Sequence, residues 1–85
     1  MDLERVSRRY LELSEEDRRK LIEDVLEIIL SSPNADLISD EIGWRISSKF
    51  RSGDLYNLEG FKLLLEAASS CEPMKLERFL EEEMK

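Results

Sequence analysis

Apolar residues recur every three or four positions along most of this chain, which predicts α-helices joined by short polar connections. We predict five helices, at about residues 2–13, 15–31, 33–52, 57–71 and 73–84. The predicted fold is an all-α, compact bundle of these short helices in a single domain, residues 1–85. The boundaries come from capping and turn residues: Ser14, Ser32 with Pro33, Gly53, Asp54 or Asn57, and Pro73.

Two of the predicted helices have apolar faces wider than a small core requires. In the second and fourth helices the apolar side chains cover arcs of roughly 200° and 220°, about twice the width of an ordinary core-facing stripe. Each is therefore expected to be central in the bundle, or to share its apolar surface with another chain. The first helix carries a narrow stripe instead, formed by Leu3, Val6, Tyr10 and Leu13.

The segment GDLYNLEGFKLLL, residues 53–65, could be a binding loop or a joint between two helices. Gly53 follows the third helix, where a left-handed residue often closes the last turn, and Asp54 or Asn57 can cap the next helix. The segment lacks the close glycine spacing and the following Lys-Ser/Thr of a phosphate loop. We interpret it as a joint, in which Gly60 lies in the apolar arc and lets a neighbouring helix approach closely.

The third helix carries the main candidate contact surface. Its core stripe is predicted to be Ile38, Ile42, Ile46 and Phe50. Leu37 and Trp44 fall on another face, and an exposed Trp44 rimmed by Glu41 and Arg51 would resemble an interface anchor. In the alternative interpretation another helix covers this side and Trp44 belongs to the core. The narrow stripe of the first helix is the other candidate contact, through Leu3, Val6 and Tyr10.

Charge is unevenly distributed along the chain, and its acidity lies outside the first 20 residues. The net charge of −7 disfavours binding to nucleic acid or to an anionic membrane. The first 20 residues are nevertheless neutral, and Arg5, Arg8 and Arg9 share one side of the first helix. These arginines form a candidate basic face for a nucleic-acid-associated regulator. The interleaved acids favour the other interpretation, a solvated surface with pairs along the helix.

The side-chain inventory argues against catalysis. The chain has no histidine and one cysteine, Cys71, which falls in the apolar arc of the fourth helix. Nucleophile–histidine pairs are therefore impossible, and a zinc or iron site lacks its usual ligands. We predict no enzyme activity and no cofactor. A Mg²⁺ enzyme using carboxylates is the remaining catalytic hypothesis.

The sequence thus favours a small non-enzymatic interaction module, self-associating or an accessory subunit of a larger assembly. A homo-oligomer is the favoured form, because a short chain has little core to cover two wide apolar arcs. No apolar run exceeds three residues, so no membrane span is predicted, and the cytoplasm is the expected location. The absence of glutamine and threonine, with abundant Glu and Arg, leans toward a thermophilic source.

Overall fold

A computed structural model describes residues 2–84 as an all-α bundle, which confirms the predicted fold class. Within this range there are five α-helices and no strand. A short 3-10 turn lies between the second and third helices. The elements are α1 (Leu3–Glu12), α2 (Glu15–Leu30), the 3-10 turn (Ala35–Leu37), α3 (Asp40–Ser52), α4 (Leu58–Cys71) and α5 (Pro73–Glu83).

Polar caps fix several of these boundaries where the sequence predicted them. The Ser14 hydroxyl accepts a hydrogen bond of 3.1 Å from the Asp17 amide at the start of α2. The Asn57 side chain accepts one of 2.9 Å from the Gly60 amide at the start of α4. Gly53 closes α3 in the left-handed conformation, with φ of 81°. These contacts satisfy backbone groups that a helix end leaves without partners.

The predicted start of the third helix is wrong by several residues. α3 begins at Asp40, and Ser39, not Ser32, caps it by accepting from the Ile42 amide at 3.2 Å. The Ser32 hydroxyl instead accepts from the Asn34 amide at 3.0 Å and donates to the Glu72 carboxylate at 2.8 Å. Such local side-chain bonds offer the backbone an alternative to a helix. They hold this connection to the start of α5.

α4 lies at the centre of the bundle, as its wide apolar arc predicted. It packs against all four other helices and the 3-10 turn. α2 packs against α4 and α5, so most of its apolar side chains are covered within the chain. Leu30 at its end remains 76% exposed. The buried residues of α4 are Gly60, Phe61, Leu64, Leu65, Ala67, Ala68 and Cys71.

The α3–α4 joint is a packed part of the fold. Leu55 in this connection is buried, and a Cβ atom added to Gly60 would lie 2.1 Å from the Leu55 carbonyl oxygen. Gly60 therefore permits close contact between α4 and the backbone of the loop that precedes it, at Leu55. Our expectation that a neighbouring helix makes this contact is wrong.

Tyr10 attaches α1 to the core. Its ring stacks on Phe61, with centroids 4.1 Å apart and an interplanar angle of 7°, and its hydroxyl donates to the Tyr56 carbonyl. Arg18 places its guanidinium 5.6 Å from the centre of the same ring. Offset aromatic stacking adds to the stability that burial alone provides. A buried phenol with a satisfied hydroxyl is also a titratable group held in its neutral form.

The Tyr10 phenol should make the fold sensitive to alkaline pH. Burial raises the pKa of Tyr10 above its ordinary 10.0, although the nearby charge of Arg18 opposes the shift. The folded state therefore holds this proton more tightly than the unfolded chain. Its stabilising contribution is complete below the unfolded pKa and is lost as pH rises through the folded pKa. In urea unfolding from neutral pH to about pH 11, stability should fall more steeply than in Tyr10→Phe.

At neutral pH Tyr10→Phe should itself be less stable by about 1 to 2 kcal/mol, because the Tyr56 carbonyl loses its donor. Tyr56→Phe is the matched control. It removes the other phenol hydroxyl but keeps the hydrogen bond, since the backbone carbonyl is the acceptor. Equal alkaline slopes for the wild type and Tyr10→Phe would contradict the role assigned to Tyr10.

Candidate functional site

α3 is the one helix of the described residues 2–84 that buries no residue. It packs principally against α4, through Ile42 and Ile46, which remain half-buried. Phe50, predicted as the last residue of the core stripe, is 64% exposed. Helices in globular proteins owe most of their stability to a buried apolar face. α3 therefore leaves apolar surface uncovered that another molecule could bury.

The outward side of α3 carries acidic, aromatic, small and basic side chains in sequence, and we call it the α3 face. Glu41, Trp44, Ser48 and Arg51 follow one another at helical spacings of three, four and three residues, so they lie on one side. Trp44 is 66% exposed at the middle of this side. Glu41 and Arg51 are exposed at its two ends. The α3 face comprises Glu41, Trp44, Ser47, Ser48 and Arg51.

A groove of about 470 Å³ runs beside the α3 face, between α3 and α4. Trp44 forms one apolar wall, and Leu63 of α4 contributes another apolar side chain. Lys49 and Glu59 pair across the groove at 3.5 Å. A site with an apolar wall and a charged rim suits a protruding apolar side chain of a partner. The lining residues are Trp44, Arg45, Ser48, Lys49, Glu59, Lys62, Leu63 and Glu66.

The other predicted contact residues are dispersed by the fold. Leu37 is 61% exposed but belongs to the 3-10 turn, so it does not share a helix with Trp44 as predicted. Leu3 is 53% exposed at the start of α1. Val6 and Tyr10 are core residues, 8% and 0% exposed, because α1 packs its narrow stripe on α4. Apart from Leu3, the stripe of α1 is therefore covered within the chain.

The three arginines of the candidate basic face are exposed on α1. Arg8 pairs with Glu4 at 4.0 Å and Arg9 with Glu12 at 3.3 Å. All three line a groove of about 870 Å³ between α1 and α5, together with acidic residues of both helices. A nucleic-acid backbone in this groove would meet carboxylates as well as guanidinium groups. Those acids are Asp2, Glu12, Glu77 and Glu81.

Comparisons with known proteins add nothing to this geometry. No protein-family model, no curated protein and no solved structure matches the chain. Inference about function therefore rests on the side chains of this chain.

One role escaped the sequence-based interpretation. Arg18, in the first turn of α2, donates to the Tyr10 carbonyl at 3.1 Å and to the Leu11 carbonyl at 2.6 Å. It thereby satisfies the C-terminal carbonyls of α1, a known use of arginine. Its signal in the sequence is its position in the first turn of α2, which follows α1 after a connection of two residues. Arg19 also has a structural contact, 4.8 Å from the centre of the Tyr56 ring.

Thiol and carboxylate side chains are the remaining groups that could act chemically. Cys71 is buried, as predicted. Among residues 2–84 no group of three or more histidine, cysteine or carboxylate side chains is placed to hold a metal ion. No helix in this range combines the length and the apolar character needed to cross a membrane. The α3 face and its groove are the candidate functional site.

Proposed function

We propose that this chain is a small, non-enzymatic protein–protein interaction module that binds through the α3 face. The observation that carries the proposal is Trp44, 66% exposed on a helix that buries no residue. A tryptophan on a surface is among the side chains that contribute most when a partner covers them. Its large apolar area favours association, since burying that area removes it from water.

The surroundings of Trp44 support binding to a protein rather than to a small molecule. The α3–α4 groove is lined by charges of both signs, from Arg45, Lys49 and Lys62 and from Glu59 and Glu66. Arg45 pairs with Glu41 at 2.8 Å on the exposed surface. Exposed charges around an apolar centre steer a partner and disfavour wrong ones more than they add affinity. A partner that presents an apolar side chain and complementary charges fits this arrangement.

The nucleic-acid alternative is less well supported. It relies on Arg5, Arg8 and Arg9, whose groove also contains four carboxylates. Affinity for nucleic acid depends on neutralising phosphates, and nearby acids reduce that gain. The interaction-module proposal does not depend on a net positive surface, because burial of the Trp44 side chain itself favours association.

Site-specific photo-cross-linking tests the proposal. Benzoylphenylalanine at Ser47, on the α3 face, should give one discrete protein adduct when the chain is expressed in cells of its source organism and irradiated. Adding Trp44→Asp should reduce the adduct yield at least about tenfold, because a charge replaces the apolar anchor. Mass spectrometry of the adduct identifies the bound protein, a second copy included.

Placing the same photoreactive side chain at Glu23 is the matched control, since Glu23 is exposed on a different helix, α2. The proposal is overturned if the Glu23 position gives the same adduct at equal yield. It is also overturned if the Ser47 adduct is insensitive to Trp44→Asp while circular dichroism shows an intact fold.

A further inference from the structure

The charges of α3 are separated along its length. Asp40 and Glu41 stand in the first turn, and Lys49 and Arg51 stand in the last turn. This order also suits the helix dipole, whose positive end is the N-terminus. An antiparallel copy of the same helix would therefore meet opposite charges at both ends. A parallel copy would meet like charges.

We propose that the partner of the α3 face is the α3 face of a second copy of this chain, antiparallel across a two-fold axis. The inference rests on the proposed function and names its partner. In a two-fold interface the same surface serves both subunits, so every contact occurs twice. The α3 face must then be complementary to itself.

The register of the α3 face meets this requirement. Glu41 and Arg51 lie equally far on either side of position 46, and so do Trp44 and Ser48. One two-fold axis at the level of position 46 therefore brings Glu41 opposite Arg51 of the second copy. The same axis brings Trp44 opposite Ser48 of the second copy. A single arrangement satisfies both the charged pairs and the apolar anchor.

The side chains beside Trp44 are suited to this packing. Ser48 is small, so an indole from the second copy can lie over it without separating the helices widely. The two-fold operation places two indoles in the interface, one on each side of the axis. Each indole would cover part of α3 of the other copy. In the single chain α3 has no buried residue, so this surface is otherwise uncovered.

Electrostatics favours contact through α3 although the chain is acidic. The net charge of the whole chain is −7. The segment from Asp40 to Ser52 carries two acids and three bases. Arg51 makes no ion pair within residues 2–84, so its charge is available to the second copy. Glu41 pairs with Arg45 through one carboxylate oxygen, and the other oxygen can accept from Arg51 of the second copy. General repulsion between two acidic chains is therefore weaker where α3 faces α3 than where the acidic helices α2, α4 or α5 would meet.

Charge exchange tests this geometry directly. In Glu41→Arg both ends of the paired helices carry arginine, and in Arg51→Glu both ends carry glutamate. Each variant alone should dimerise at least about tenfold more weakly than the wild type. An equimolar mixture of the two should restore dimers, since each charge then faces its opposite. Light scattering after size exclusion, at concentrations up to about 1 mM, measures the masses.

Glu23→Arg and Lys75→Glu provide the matched control, because both residues are exposed on other helices. They change the net charge by the same amounts as Glu41→Arg and Arg51→Glu. An equimolar mixture of the two control variants should dimerise no more strongly than either variant alone. Circular dichroism establishes that all four variants are folded.

The inference is overturned if the wild type stays monomeric over this range. It is also overturned if mixing Glu41→Arg with Arg51→Glu restores nothing, or if the control mixture gains as much. These outcomes differ from failure of the proposed function. A Trp44-dependent cross-link from Ser47 to a different protein would keep the interaction module and remove the second copy as its partner.

Discussion

Replacing Gly60 by alanine is expected to destabilise the fold by about 3 kcal/mol or more. The added Cβ would lie 2.1 Å from the carbonyl oxygen of Leu55, 2.6 Å from its carbonyl carbon and 2.8 Å from its Cα. All three are backbone atoms, so rotation of a side chain cannot relieve the overlap. Leu55 is itself buried, which prevents the loop from moving outward without uncovering apolar surface.

Urea unfolding followed by circular dichroism measures this loss, and Gly43→Ala is the matched control. Gly43 lies in the interior of α3, and nothing lies within 4 Å of a Cβ added there. Alanine at this position should stabilise the protein by about 0.5 to 1 kcal/mol, because it restricts the unfolded chain and suits a helix. A small or absent loss in Gly60→Ala would show that the Leu55 loop is not fixed against α4.

Phe61→Ala is the second substitution with a large expected effect, a loss of about 3 to 5 kcal/mol. Phe61 is 0% exposed, and its ring stacks on Tyr10. Removing it leaves a cavity where α1 meets α4 and deprives Tyr10 of its aromatic contact. Because a domain of this size has a total stability of about 4 to 13 kcal/mol, the loss should be evident in the urea midpoint.

Phe50→Ala removes the same side chain from a site that is 64% exposed, so it is the matched control. Its effect on unfolding should stay within about 0.5 kcal/mol, as for other surface positions. Similar losses for the two variants would contradict the assignment of Phe61 to the core and of Phe50 to the surface.

The sequence predicted those parts of the fold that depend on local rules. Ser14, Gly53 and Asn57 act within one turn of their own helices, so capping rules predicted their roles. The third helix was placed too early because Ser32 and Ser39 both satisfy those rules. The choice between them involves Glu72, which is 40 residues away and binds Ser32. Such a contact is invisible to local reasoning.

The candidate site was predictable only in part, for the same reason. Helical spacing placed Trp44 away from the core stripe, and the structure leaves it exposed. Spacing could not say whether another helix covers that side, because the answer depends on how α3 packs against α4. Helical spacing also cannot tell whether an apolar stripe, such as that of α1, is covered by another helix or exposed to solvent. Spacing therefore predicts Val6 and Tyr10 as contacts, although α4 covers them.

The position of Trp44 also determines how this molecule can be observed. It is the only tryptophan in the chain, and it lies on the surface rather than in the core. Its fluorescence already comes from a largely hydrated indole in the folded state, so unfolding changes its surroundings little. Contact with another molecule changes them much more. The intrinsic emission of this protein is consequently a reporter of what touches α3, obtained without attaching a dye.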